Sequence, residues 1–193
     1  MRRAFLILIL LMFAAAVPGA QSVSERQQVF EIEQELEQLP TYGVFDFINF
    51  SYDRGKVTLG GYSYQGGLKS HAANAVKRVA GVDEVDNKIE LLPASPNDDR
   101  IRWATFYRIY GDSSLSRYSP GGEMGARYEV RQARRFIGTQ PFGVYPIHII
   151  VKNGRTTLMG FVGSEMDRRM AEIRAREVTG TFGVENQLVV DSE

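Results

Sequence analysis

The sequence predicts an α+β protein built from two repeated αββαβ units. Each unit is expected to be a small three-stranded mixed sheet with two helices packed on one face. Three observations carry this. First, "GKVTLGGYSY" at 55–64 and "GRTTLMGFVG" at 154–163 are two versions of one phrase, 99 residues apart. Second, the same shift places Ala72 on Ala171, Val79 on Val178, Val85 on Val184 and Asn87 on Asn186 without a gap. Internal self-similarity of this kind marks a repeated structural unit. Third, the apolar spacing runs through period two, then 3.6, then two again, in the same order in both copies.

In the first copy, Val29, Ile32, Leu36 and Leu39 form an apolar stripe that predicts a helix. Ser24 and Gln27 suit a capping box at its start, and Pro40 suits its end. Residues 44–52 are rich in aromatic and β-branched side chains and read as a strand. Asp53, Arg54 and Gly55 make a turn, and 56–62 form the partner strand of a hairpin. Leu68, Ala72, Ala75, Val76 and Val79 recur at helical spacing, and Gly81 ends that helix. Val85, Ile89 and Leu91 predict the third strand.

The second copy repeats the order. Trp103, Phe106, Tyr107 and Tyr110 share a helix face behind Asp98 and Asp99, whose place at a helix start suits capping. Residues 146–152 and 155–162 are strands joined at Asn153–Gly154, a strong hairpin signal. A helix over 167–178 ends at Gly180, and 184–190 is the last strand. The second copy also carries an insertion, 111–143. It opens as a Ser/Gly/Pro loop and continues into a segment where Ala126, Val130, Ala133 and Ile137 share one helical face.

These motifs resemble the BON domain, twice. The family pattern is a strand ending in G-x-V-x-L-x-G, a helix with A-x-x-x-A-x-x-V-x-G, then V-x-N before the last strand. The first copy supplies Gly55, Val57, Leu59, Gly61, Ala72, Val76, Val79, Gly81, Val85 and Asn87. The second supplies Gly154, Leu158, Gly160, Ala171, Ala175, Val178, Gly180, Val184 and Asn186, with Thr156 in place of Val. The resemblance covers nearly all of the chain beyond residue 20. Its motifs are glycines and core residues, which specify fold more than activity.

Arg2 and Arg3, the apolar run over 4–17 and the small residues that follow read as a secretory signal peptide. The expected organisation is therefore a signal peptide at 1–20, a first BON-like domain at 21–95 and a second at 96–193. The chain has no cysteine, which excludes disulfides, thiol catalysis and a lipoprotein tether. A periplasmic or secreted location is expected. Residues 21–97 carry four more acidic than basic groups, and 98–193 carry two more basic than acidic. Neither half is basic enough to suggest nucleic acid.

Candidate chemistry is sparse. His71 and His148 lie in different copies, without partners at ligand or catalytic spacing. "GGYSYQGG" at 60–67 lacks the G-K-[ST] ending of a phosphate loop and reads as a strand-to-helix connection. No catalytic residue, cofactor or metal is expected, and the chain reads as a non-enzymatic protein. One feature stands out when this helix is read from Met166 to Val178. Met166, Met170 and Ile173 form a second apolar stripe beside the core face, flanked by Arg169 and Arg176, with Arg168 and Arg174 nearby. In the inserted segment Arg127, Arg131 and Arg135 are spaced by four. The resemblance implies binding to anionic phospholipid and a role in envelope integrity or stress tolerance. These ten residues are the expected contact surface; the alternative for the stripe is packing against the other domain or the inserted segment, and the acidic first domain is an available counterpart for the inserted arginines. A periplasmic adaptor or chaperone for envelope proteins would use the same surface.

Overall fold

The computed structural model describes residues 18–119, 140–143 and 145–190, with side chains from Glu25 onward. The predicted αββαβ order is present twice. In the first unit α1 (Pro18–Glu37) precedes β1 (Phe47–Asp53), β2 (Lys56–Ser63), α2 (Gly66–Val76), β3 (Glu84–Asn87) and β4 (Glu90–Leu91). In the second, α3 (Pro96–Tyr110) precedes β5 (Ile147–Lys152), β6 (Arg155–Val162), α4 (Glu165–Arg176) and β7 (Gly183–Val190). β1 is antiparallel to β2, and β2 runs parallel to both β3 and β4. The second sheet has the order β5-β6-β7, antiparallel then parallel.

The matched glycines have matched reasons. Arg54–Gly55 and Asn153–Gly154 all have positive φ, as a two-residue type I′ hairpin requires. Gly61 has φ +102°, and a Cβ there would sit 2.0 Å from the Phe47 carbonyl oxygen. Gly160 has φ +111°, and its Cβ would sit 2.1 Å from that of Pro146. Only glycine permits so close an approach of two backbones. The repeated Asn has one job in both units. Asn87 Nδ2 donates to the Lys69 carbonyl on α2, and Asn186 Nδ2 donates to the Arg168 carbonyl on α4. The amide oxygens accept from the backbone N–H of Ile89 and Leu188. Each Asn thus ties the last strand to the helix above it.

Some boundaries differ from the sequence expectation. α1 starts at Pro18, which is well suited to a first helical turn, so Ser24 lies inside the helix and not at its cap. The first strand begins at Phe47, because residues 43–46 turn back, with Asp46 N–H donating to the Gly43 carbonyl. Gly60–Ser63 belongs to β2, so only Tyr64 and Gln65 separate strand from helix. The third strand is broken at Lys88–Ile89. Ser95, not Asp98 or Asp99, caps α3, and buried Asp98 instead accepts the Asn153 and Gly154 N–H groups of the second hairpin. The helix expected from Ala126 to Ile137 lies outside the described residues.

Each unit has its own core. Ile32, Leu36, Val57, Leu59, Leu68, Ala72 and Val76 centre the first. Ile101, Phe106, Ile147, Ile149, Leu158, Ala171 and Ala175 centre the second, and the first unit's Val44 and Phe45 are fully buried within it. Val44 also extends the second sheet's edge, its carbonyl accepting from Ile149 N–H at 2.8 Å. Phe45 meets Trp103 and Phe106 edge-on, at 5.2 and 6.4 Å between ring centres. Residues 43–46 therefore strap one unit to the other.

Candidate functional site

The outer face of α4 carries the predicted apolar stripe. Ser164 caps the helix, its hydroxyl oxygen accepting from Asp167 N–H. Asp167 is buried, accepting from the hydroxyls of Tyr118 and Ser164 at 2.7 Å each and from Arg117. Ala171 and Ala175 lie flat on the sheet. This leaves Met166 at 76% and Ile173 at 49% exposure, while Met170 between them is half-buried against the second core. The stripe is thus two exposed ends around a tucked centre.

The arginines divide by geometry. Arg168 donates from Nε to the Leu188 carbonyl and from Nη2 to the Asn186 carbonyl, and pairs with Glu165. Arg176 donates to the Val184 carbonyl and to Glu172. Successive outward carbonyls of the β7 edge are therefore covered by guanidinium groups. An exposed edge is an invitation to pair with another chain, and covering it is one way proteins prevent this. Arg174 is held at 2.6 Å by Asp112 and also meets Glu177. Arg169 is the outlier: 74% of its side chain is exposed, and its one ion pair among the described residues, to Glu165, is 3.5 Å long. Arg127, Arg131 and Arg135 lie outside the described residues.

The basic surface continues past the end of α4. A depression of about 440 Å³ on the second sheet's open face is lined by Lys152, Arg155, Arg176, Tyr62 and Glu185. Lys152 pairs with Glu90 of the first unit. Arg155 has no carboxylate partner among the described residues.

Sequence reasoning missed the polar centre between the units. Asp46 is fully buried and accepts from Tyr64 N–H at 2.7 Å, Gly43 N–H at 3.0 Å and Gln140 Nε2 at 2.5 Å. Burial raises its pKa to about 6, against the pull of those donors and of Arg102. Arg102 is itself fully buried, over the Tyr64 ring at 4.9 Å, bonded to Asp99 and to the Val151 carbonyl. His148 does point away from Ile147 and Ile149, as alternation requires, but into the inter-unit seam and not into solvent. It lies between Tyr42 and Phe47, with only 7% exposure and Nδ1 unpartnered among the described residues. Burial lowers its pKa to about 4. No periodic pattern marks these residues, since the Asp46–Gln140 contact joins positions 94 apart. His71 is exposed on α2, its Nδ1 3.4 Å from the Thr41 hydroxyl. No group of side chains suited to a metal ion occurs among the described residues. No helix among them is long and apolar enough to cross a membrane.

The fold defines a class: paired αββαβ units, each with a hairpin glycine, a backbone-contact glycine and a strand-to-helix asparagine. The BON-domain family model matches at residues 24–93 and 131–192, and the chain belongs to that family. BON domains are generally non-enzymatic, and membership suggests an envelope protein associated with phospholipid membranes. Among solved structures, the chain is similar to the C-terminal domain of CdsD, a structural protein of the type III secretion system of Chlamydia trachomatis. That match has 15% identity and a TM-score of 0.28, covering 84% of this chain and 96% of the other. A second CdsD structure gives the same identity and TM-score over 86% and 93%. No curated protein matches the chain.

Proposed function

We propose that the protein is a non-enzymatic, periplasmic or secreted envelope protein that binds anionic phospholipid surfaces through its second unit. It would support envelope integrity or stress tolerance. The observation that carries this reading is the pairing of Met166 and Ile173, exposed on one helix, with the weakly held Arg169 beside them. Exposed methionine and isoleucine at the rim of a folded unit can enter the head-group layer, and each buried side chain contributes about 1.5–3 kcal/mol. Each arginine adds about 1 kcal/mol near an anionic bilayer. Arg168 and Arg176 contribute mainly by holding β7. Met170 supports the surface from below. Arg127, Arg131 and Arg135 would extend the basic area.

Flotation with phosphatidylglycerol vesicles tests it. M166D should weaken binding by about tenfold or more. R169E should also weaken binding and reduce its salt dependence, with unchanged thermal stability for both variants. Vesicle binding that is equal for wild type and M166D, or equal on phosphatidylcholine, overturns the reading. The second reading is a protein-binding adaptor or chaperone. It is favoured by the ion pairs of Arg168, Arg174 and Arg176, which leave apolar contact as the main attraction.

A further inference from the structure

The sheet edges of the two units are treated differently. On β5, Val44 covers the Ile149 N–H, Arg102 covers the Val151 carbonyl, and the Tyr110 hydroxyl meets both the N–H and the carbonyl of Ile147. On β7 the arginines cover the carbonyls. β1 is the contrasting case. It is the end strand of its sheet. The two-residue hairpin at Arg54–Gly55 makes Asp53 and Lys56 the first hydrogen-bonded pair, so alternate residues Ile48, Phe50 and Tyr52 present their backbone groups outward. The bond from Ile48 N–H to the Tyr42 hydroxyl agrees with that phase. Among the described residues nothing reaches the outward N–H or carbonyl of Phe50, or those of Tyr52.

That edge lies in a groove of about 360 Å³. Its lining joins β1 to Leu36, Glu33 and Glu37 of α1 on one side, and to Pro146 and Phe161 of the second unit on the other. Glu33 and Glu37 are exposed, and among the described residues the lining contains no lysine or arginine. Phe161 is 58% exposed. A strand laid on β1 would turn alternate side chains to the two sides. One set would meet the glutamates and the other would meet Phe161.

We propose that the β1 edge is a docking site for an extended polypeptide strand with alternating basic and apolar residues. Main-chain pairing with Phe50 supplies affinity, and the acidic and apolar sides supply specificity. The aliphatic stems of lysine or arginine would cover Leu36 while their heads reach Glu33 and Glu37. This surface is separate from the α4 face, and its test does not involve lipid.

The probe is a fluorescein-labelled peptide of alternating valine and lysine, seven residues long, titrated into the full chain. Amide hydrogen exchange on the peptide-saturated protein should slow at Phe50 and Tyr52 by about tenfold or more, and should be unchanged at Asn49 and Ser51, which already pair with β2. A peptide N-methylated at alternate amides should bind about tenfold more weakly or worse, because it cannot pair with the edge. E33K with E37K, on an exposed helix face, should also weaken binding by about tenfold. Equal binding of the N-methylated peptide overturns the proposal. So does protection of Phe50 and Tyr52 before peptide is added, and so does failure of the glutamate reversal to matter. Protection that grows with protein concentration alone assigns the edge to a second copy of the chain instead.

Discussion

Replacing His148 with Phe should change how stability depends on pH. In the native protein His148 is pinned neutral, with a pKa near 4, whereas the unfolded side chain titrates near 6.5. As pH falls below 6.5 the unfolded state takes up a proton that the native state refuses, so stability is lost down to about pH 4. Asp46 acts in the opposite sense. Its native pKa of about 6 lies above the unfolded 3.8, so over that window the native state takes the proton first and gains stability as pH falls. At about 1.4 kcal/mol per pH unit, the gap from 6.5 to about 4 is worth about 3 kcal/mol for His148. The gap from about 6 to 3.8 is worth about 3 kcal/mol for Asp46. The two act in opposite directions over the same window. Urea unfolding of wild type and H148F at pH 7.5 and 4.5 isolates the histidine, because every other group is common to both proteins. The stability of H148F relative to wild type should rise by about 2–3 kcal/mol between those pH values. A relative stability that stays flat across this range refutes a native state that holds His148 neutral. D46N should show the converse, losing stability relative to wild type on acidification.

G61A and G160A should each disrupt their own unit by several kcal/mol, since a Cβ would meet backbone oxygen at 2.0 and 2.1 Å in a positive-φ conformation. Unit-resolved hydrogen exchange reads this, and a fully protected G160A sheet contradicts it. N186A removes both the bond to the Arg168 carbonyl and the one to Leu188 N–H, and should cost about 1–3 kcal/mol in chemical denaturation. N87A should do the same to the first unit, and an unaltered midpoint for both would show that the strand-to-helix tie carries no stability.

The repeat was legible because its determinants are local. Hairpin dipeptides, helix-stopping glycines and the 3.6-residue recurrence of Leu68, Ala72, Ala75 and Val79 each report on a few neighbouring residues. Boundaries failed where a distant partner decides. Residues 44–46 have strand-like composition, yet Val44 pairs with Ile149 and Asp46 with Gln140, so the strand starts at Phe47. Ser24 and Gln27 offered a local cap, but the helix had an earlier start available at Pro18. On the candidate surface, the helical spacing sets buried Ala171 and Ala175 apart from exposed Met166 and Ile173, but it puts Met170 in the same stripe although that side chain is half-buried against the second core. It could not tell that Arg168 and Arg176 reach back to β7, because that depends on where the last strand docks. Buried Arg102 had no signal at all: in sequence it is one more arginine on a helix that also exposes Arg100 and Arg108.

The strap at 43–46 also bears on how the chain is made. Val44 and Phe45 are synthesised about a hundred residues before β5 and β6, the strands whose core they complete. During vectorial synthesis, the strands of the leading unit are complete before β5 and β6 exist for this apolar pair to enter. The trailing unit, by contrast, meets a preassembled plug as soon as α3 and β5 emerge. A nascent chain halted before residue 147 would lack the strand that Val44 pairs with, leaving Val44 and Phe45 without the sheet they pack into.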